Sequence, residues 1–440
     1  MLRKNFIAAQ LDPARVKAEK ESIMNQANNS VATGVAESPY AWMRLWAALL
    51  SGAIGSVGMW SVVVILPAVQ QEFGVLRADA TLPYTLTMLG FGVGGIVMGK
   101  LADRYGIIIP MLIGAVLLFA GYMLSAVLPS LFLFALPHFL IGLGASVTFA
   151  PMMADLSHWF TKRRGIAVTI VASGNYVAGA IWPPIVQYSM STIGWRPTQI
   201  WIGIFVLAAT IPLTLIFRRK IALSEAKPLN GTSAGRSNAL KISPNALMII
   251  LSVAGLSCCV AMSMPQVHIV AYCGDLGYGA ARGAEMLSLM LAFGIVSRIA
   301  SGFIADRIGG PGALLMGSFL QGVALFLYLF FDGLASLYVI SILFGLFQGG
   351  IVPMYAVIVR EYFPPQEAGV RVGIVIFSTI AGMAFGGWIS GVIFDYTGSY
   401  QAAFANGLAW NLLNVSIAAW LLLSSRSKRR GGSAPTPAAA

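Results

Sequence analysis

The chain alternates long apolar stretches with short polar phrases, and twelve such stretches can be counted, at roughly 46–69, 82–99, 107–128, 131–154, 165–190, 197–217, 246–272, 283–304, 312–331, 334–357, 371–394 and 402–424. Most have about the length that a helix needs to cross a bilayer, about twice that of a barrel strand. An open strand in hydrocarbon would leave its amides unpaired at several kcal/mol each, so the pattern predicts helices.

One polar phrase occurs twice. Gly99-Lys100-Leu101-Ala102-Asp103-Arg104-Tyr105-Gly106 returns as Gly302-Phe303-Ile304-Ala305-Asp306-Arg307-Ile308-Gly309, each between two apolar stretches. Trp159-Phe160 recurs as Tyr362-Phe363, Gly142 as Gly345 and Gly179 as Gly382, all at the same offset. Six spans separate equivalent points, so the second half enters the membrane from the same side as the first. The predicted fold is an all-α membrane protein of twelve transmembrane helices in two parallel-repeat six-helix bundles. The bundles are expected at 44–217 and 245–424, with a tail at 1–43, a linker at 218–244 and a second tail at 425–440. Gly90, Gly94, Gly95 and Gly99, and Gly382, Gly386, Gly387 and Gly391, form overlapping small-residue spacings suited to close helix packing.

Composition agrees: 58% of residues are hydrophobic and 10% charged, with a mean hydropathy of +0.79. This excludes an ordinary soluble enzyme. The net charge of +12 does not indicate nucleic acid, because its distribution follows topology. With the amino terminus inside, 24 of the 28 Lys and Arg fall on the cytoplasmic side; Arg77, Arg196 and Arg282 fall outside and Arg298 within a span. The expected location is the cell (inner) membrane, multi-pass, with both termini cytoplasmic and basic clusters near lipid headgroups. The first 40 residues lack the apolar core of a signal peptide. Three cysteines and three histidines suggest neither a disulfide framework nor a metal centre, and no cofactor is expected.

Arg298 lies eight residues before the second Asp-Arg turn, about 12 Å into its span by helical rise. An arginine near the middle of a bilayer costs roughly 2.5 to 3.5 kcal/mol, so it should face a wet cavity and an anionic partner. Its guanidinium can grip a carboxylate by two parallel hydrogen bonds. Asn175, Tyr176, Gln348 and Tyr355 are polar groups within spans whose burial needs partners, and each could orient a substrate oxygen or join helices.

The twelve spans, the halves and both repeated turns resemble the major facilitator superfamily, although Ile107 and Ile108 replace the basic residues that follow that family's first turn. The resemblance implies a carrier that works by alternating access and a gating role for Asp103, Arg104, Asp306 and Arg307, with Asp155 as the nearby partner of Arg104. Pro151, Trp159-Phe160, Arg163-Arg164-Gly165, Gly174, Gly179, Pro183 and Gly194-Trp195-Arg196 resemble the monocarboxylate-transporter and oxalate:formate-antiporter branch. In that branch an arginine at this point of helix 8 binds the substrate carboxylate, which implies that role for Arg298. A nearby aspartate takes part in proton coupling, and Asp275 is the candidate. It is expected to pair with Arg298, either as a permanent tie between two helices or as a competitor that frees the cation for the substrate anion when protonated. His268, two turns before Asp275, could relay a proton or be structural. His138 could line the cavity, because helix 4 borders it in this superfamily.

The oxalate-type carriers carry a second basic residue in helix 11, whereas 372–394 contains none, and one cation suits one carboxylate. The leading expectation is a lactate- or pyruvate-like monocarboxylate moved with a proton by a monomeric carrier. An organic-anion exchanger and a non-transporting membrane sensor are the alternatives. A membrane-bound transferase would need a reactive cluster, and no nucleophile motif or metal-spaced histidine set is present.

Overall fold

Proline and serine set where the helices begin. Ser38 accepts a hydrogen bond from the Ala41 amide at 3.3 Å, with Pro39 next to it, and Ser243 with Pro244 repeats the arrangement at the start of the seventh span. A short polar side chain caps the first turn, and proline fits there because its missing N–H has no helical partner anyway. The first span therefore starts at Pro39, several residues before the apolar stretch that announced it. The computed structural model describes residues 37–160, 163–219 and 242–431. The tail expected at 1–43, the linker at 218–244 and the tail at 425–440 fall largely outside these residues.

Among the described residues, twelve helical spans are long and apolar enough to cross a membrane. Spans 1 to 6 run Pro39–Phe73, Arg77–Tyr105, Ile108–Val127, Leu131–Ser157, Gly165–Ile193 and Trp195–Ile216. Spans 7 to 12 run Pro244–Asp275, Ala280–Ile308, Gly310–Phe330, Leu334–Tyr362, Glu367–Thr397 and Tyr400–Ser424. In the first half span 1 packs on span 5, span 2 on span 4 and span 3 on span 6. The second half repeats the scheme with 7 on 11, 8 on 10 and 9 on 12. The halves meet through two equivalent seams, span 5 against span 8 and span 2 against span 11.

The duplicated polar phrase ends spans 2 and 8 in the same way. Gly106 at φ +83° and Gly309 at φ +80° donate their amides to Ala102 and Ala305, a backbone that a side chain would strain. Several spans are interrupted at mid-depth: span 1 at Ser56, span 4 by a 3-10 turn at Ser146–Thr148, span 5 at Ser173 and span 10 at Gly349–Gly350. Such interruptions release backbone carbonyls within the membrane, where other groups must satisfy them.

Candidate functional site

Arg298 on span 8 is the centre of the mid-depth cluster. It is 4% exposed and sits on the seam with span 5, roughly 15 Å of helix from the end of span 8. Two of the interruptions serve it. The amide of Tyr176 turns to the Ser173 carbonyl at 3.0 Å, so the Ala172 carbonyl is free to accept from Arg298 Nη1. Pro353 has no N–H to offer the carbonyl four residues earlier, and that carbonyl, on Gly349, accepts from Arg298 Nε at 3.2 Å. Asn175 Oδ1 accepts from Nη1 at 3.3 Å. The guanidinium carbon lies 4.1 Å from the centre of the Tyr176 ring, a favourable cation–π position.

Tyr176 in turn donates from its hydroxyl to Gln348 Oε1 at 3.1 Å, crossing from the first half to the second. Gln348 is fully buried, and its Nε2 has no hydrogen-bond partner. Trp60 Nε1 donates to the Asn175 carbonyl at 2.8 Å and fixes that turn of span 5. The site is tightly packed: a Cβ on Gly294 would enter the Tyr176 ring across the seam, and one on Gly349 of span 10 would overlap the Gly294 carbonyl of span 8. Of the residues singled out in the sequence, Arg298, Asn175, Tyr176 and Gln348 are thus brought together.

The others are not. Arg298 faces neither an open cavity nor a carboxylate: it is buried, and the oxygens of Gly349, Ala172 and Asn175 stand in for water. Asp275 does not pair with it. Span 7 ends at Asp275 and span 8 begins at Ala280, so about 27 Å of helix separates the start of span 8 from Arg298. Asp275 instead binds Arg77 at 3.1 Å. His138 is buried, with Nδ1 2.9 Å from the Phe134 carbonyl and its ring edge-on to Phe134, as a packed histidine of span 4. His268 is also buried, with Nε2 2.8 Å from the Gly387 carbonyl of span 11. Tyr355 donates to Asn414 Oδ1 at 2.7 Å, and Asn414 donates to Ser318, a network joining spans 9, 10 and 12. A narrow void lined by Ser51, Gly114, Gly144 and Thr148 lies within the first half, away from Arg298.

The expected Arg104–Asp155 pair is also absent. Arg44 of span 1 takes Asp155 with both arms of its fork, at 2.6 to 3.1 Å, and adds the carbonyls of Phe217 and Arg219. Arg44 is 2% exposed and lies between the Trp159 and Phe217 rings. Asp103, Arg104, Asp306 and Arg307 are exposed and carry no ion pair among the described residues. Sequence reasoning missed Arg44, although Ser38-Pro39 signalled that the first helix begins upstream of it.

At the opposite end Arg77 joins the halves. It binds Asp275 of span 7 and the Tyr400 hydroxyl of span 12, and lies 4.7 Å from the Phe394 ring centre. Asp395 of span 11 accepts the amides of Arg77 and Ala78 at 2.9 and 2.8 Å. Every hydrogen bond between the halves, among the described residues, lies between this face and the depth of Arg298; none reaches the face of Arg104 and Arg307. The molecule is closed at the Arg77 face.

A duplicated twelve-helix bundle, closed at one face and holding a lone guanidinium on its central seam, is the architecture of a membrane carrier. The family model described as Major Facilitator Superfamily matches residues 48–337 and 313–439, and the chain belongs to that family. It is a multi-pass membrane transporter and not an enzyme. The chain is 26% identical over 365 residues to Monocarboxylate transporter 13 of Rattus norvegicus, covering 81% of this chain and 82% of that protein. It is 27% identical over 327 residues to Agnestins efflux protein AgnL12 of Paecilomyces divaricatus, covering 73% of each. A bacterial homologue of the human lysosomal transporter Spinster, solved inward-facing and unoccupied, superposes with a TM-score of 0.68 at 14% identity, covering 91% of this chain and 100% of that one. That likeness is one of fold.

Proposed function

We propose that this protein is a secondary carrier for a short monocarboxylate, lactate- or pyruvate-like, and that Arg298 holds the carboxylate. The observation that carries the reading is a buried guanidinium without an acidic partner on the seam between the two halves. An unpaired charge at that depth is costly and favours an anionic ligand. Its Nη2 has no acceptor among the described residues, and Gln348 Nε2 is likewise free. A carboxylate on Arg298 and a neighbouring keto or hydroxyl oxygen on Gln348 would use both donors. Similarity to monocarboxylate transporters supports the same class.

The Arg77 face is then the outer one and the Arg104 face cytoplasmic, as the distribution of Lys and Arg suggests. The protein would act as a monomer in the cell membrane with both termini inside. The halves rock about the central seam, and the Asp103–Arg104 and Asp306–Arg307 turns engage only when the cytoplasmic side closes. Proton symport would use Asp275 at the outer seal as its proton-coupling residue, with His268 nearby. One observation favours exchange as the second reading: no carboxylate accompanies Arg298, so the empty carrier holds an uncompensated charge that a bound anion neutralises.

Uptake of labelled pyruvate and lactate into proteoliposomes tests this. Wild type should show saturable uptake and counterflow, Arg298→Ala should lose both, and Arg298→Lys should recover little because the fork is gone. A pH gradient that drives accumulation selects symport; stimulation only by internal acid selects exchange. Unchanged uptake by Arg298→Ala would overturn the assignment.

A further inference from the structure

Two neutral oxygens of the first half occupy one nitrogen of a guanidinium that belongs to the second. Arg298 Nη1 donates to the Ala172 carbonyl and to Asn175 Oδ1. Asn175 is partly exposed, whereas Ala172 is buried. The same seam continues along span 5 and span 8, with the Ser288 hydroxyl on the Ala180 carbonyl and Leu291 against Gly179. The Arg298 bonds are the last hydrogen bonds between the halves before the Arg104 face, among the described residues.

We propose that Asn175, together with the Ala172 carbonyl, is a stand-in for the substrate carboxylate: it occupies Arg298 in the empty carrier and ties the two halves until an anion displaces it. Asn175 is a positioning residue here, acting on substrate through Arg298. An amide oxygen suits this task because it satisfies a buried cation yet competes less strongly than an ionised carboxylate. The empty carrier is held in the state closed at the Arg77 face, and the arriving anion removes the tie as it binds. Exchange should therefore run faster than net movement. The inference rests on the carboxylate reading of Arg298, but its first test needs no substrate.

Ala80, 2% exposed beside Arg77, is replaced by cysteine and its labelling by a membrane-impermeant maleimide is followed without substrate in proteoliposomes oriented with the Arg77 face outward, the parent chain serving as blank. Asn175→Ala should raise the labelling rate at least threefold, and Asn175→Gln, which restores an acceptor, should bring it back toward wild type. In transport, Asn175→Ala should lower the KM for labelled pyruvate and raise net uptake relative to exchange. Asn175→Asp, a competitor that carries its own charge, should slow both modes at least tenfold at neutral pH and recover as the pH falls. Unchanged labelling in Asn175→Ala, a higher KM in that variant, or wild-type transport by Asn175→Asp would each overturn the proposal. If wild type moves no carboxylate at all, the carboxylate reading of Arg298 fails on its own, and the labelling result still decides whether the tie exists.

Discussion

Asp275 and Arg77 face each other at 3.1 Å across the two halves of the molecule, with Arg77 almost buried and Asp275 39% exposed. Such a half-wet pair is worth about 1 kcal/mol, which corresponds to roughly a fivefold shift between two states. Asp275→Asn should raise maleimide labelling of Ala80→Cys by about that factor. Asp395→Asn, which weakens acceptance of the Arg77 and Ala78 amides, should act in the same direction. If neither substitution changes labelling, the Arg77 cluster does not hold that face shut.

Arg44 and Asp155 form a second charged contact, within one half. Removing one partner of a buried pair costs about 3 to 5 kcal/mol, and the 21% exposure of Asp155 reduces this to about 2 kcal/mol here. Arg44→Ala and Asp155→Ala should each lower the melting temperature of the purified protein by several degrees. The double variant should lose less than the sum, because no lone charge is left behind. Additive losses would show that the pair contributes no coupling.

Pro353 keeps the Gly349 carbonyl available to Arg298 Nε at 3.2 Å. Pro353→Ala supplies an amide that competes for this carbonyl, and because Pro353 lies in the first turn of Ile351–Tyr362, where proline is well tolerated, its loss costs the helix little. Thermal stability should stay level or rise. Transport should fall roughly tenfold, as expected when a hydrogen bond to a charged group of about 1.5 kcal/mol is weakened. Stability and transport falling together would point to simple misfolding of span 10.

Tyr176 makes two separable contributions, a ring face under the guanidinium at 4.1 Å and a hydroxyl on Gln348 at 3.1 Å. Tyr176→Phe keeps the first and frees Gln348, so the KM for a labelled monocarboxylate should change by about two- to fivefold. Tyr176→Ala loses both, and with a cation–π contribution of about 1 to 2 kcal/mol it should weaken transport by about tenfold or more. Equal effects from the two variants would remove the ring from the site.

The sequence by itself determined the architecture, because a bilayer accepts little besides long apolar helices and because the repeated Asp-Arg turn reveals the duplication. It also marked Arg298 as chemically exceptional, since one cation in the middle of an apolar stretch has few harmless explanations. Proline and serine codes lay outside what the hydropathy pattern revealed: the first apolar stretch begins only at about 46, whereas Ser38-Pro39 starts the helix, and Pro353 leaves a carbonyl without its donor. Pairing was not readable. Asp275 and Arg298 are near in sequence but lie at different depths, since a long helix carries its residues apart at a fixed rise. Arg44 with Asp155, and Arg77 with Asp275 and Asp395, are chosen by which spans pack side by side. Only the tertiary structure decided that Arg298 rests on neutral oxygens from both halves, because helix packing brings the broken backbones of spans 5 and 10 to the same guanidinium.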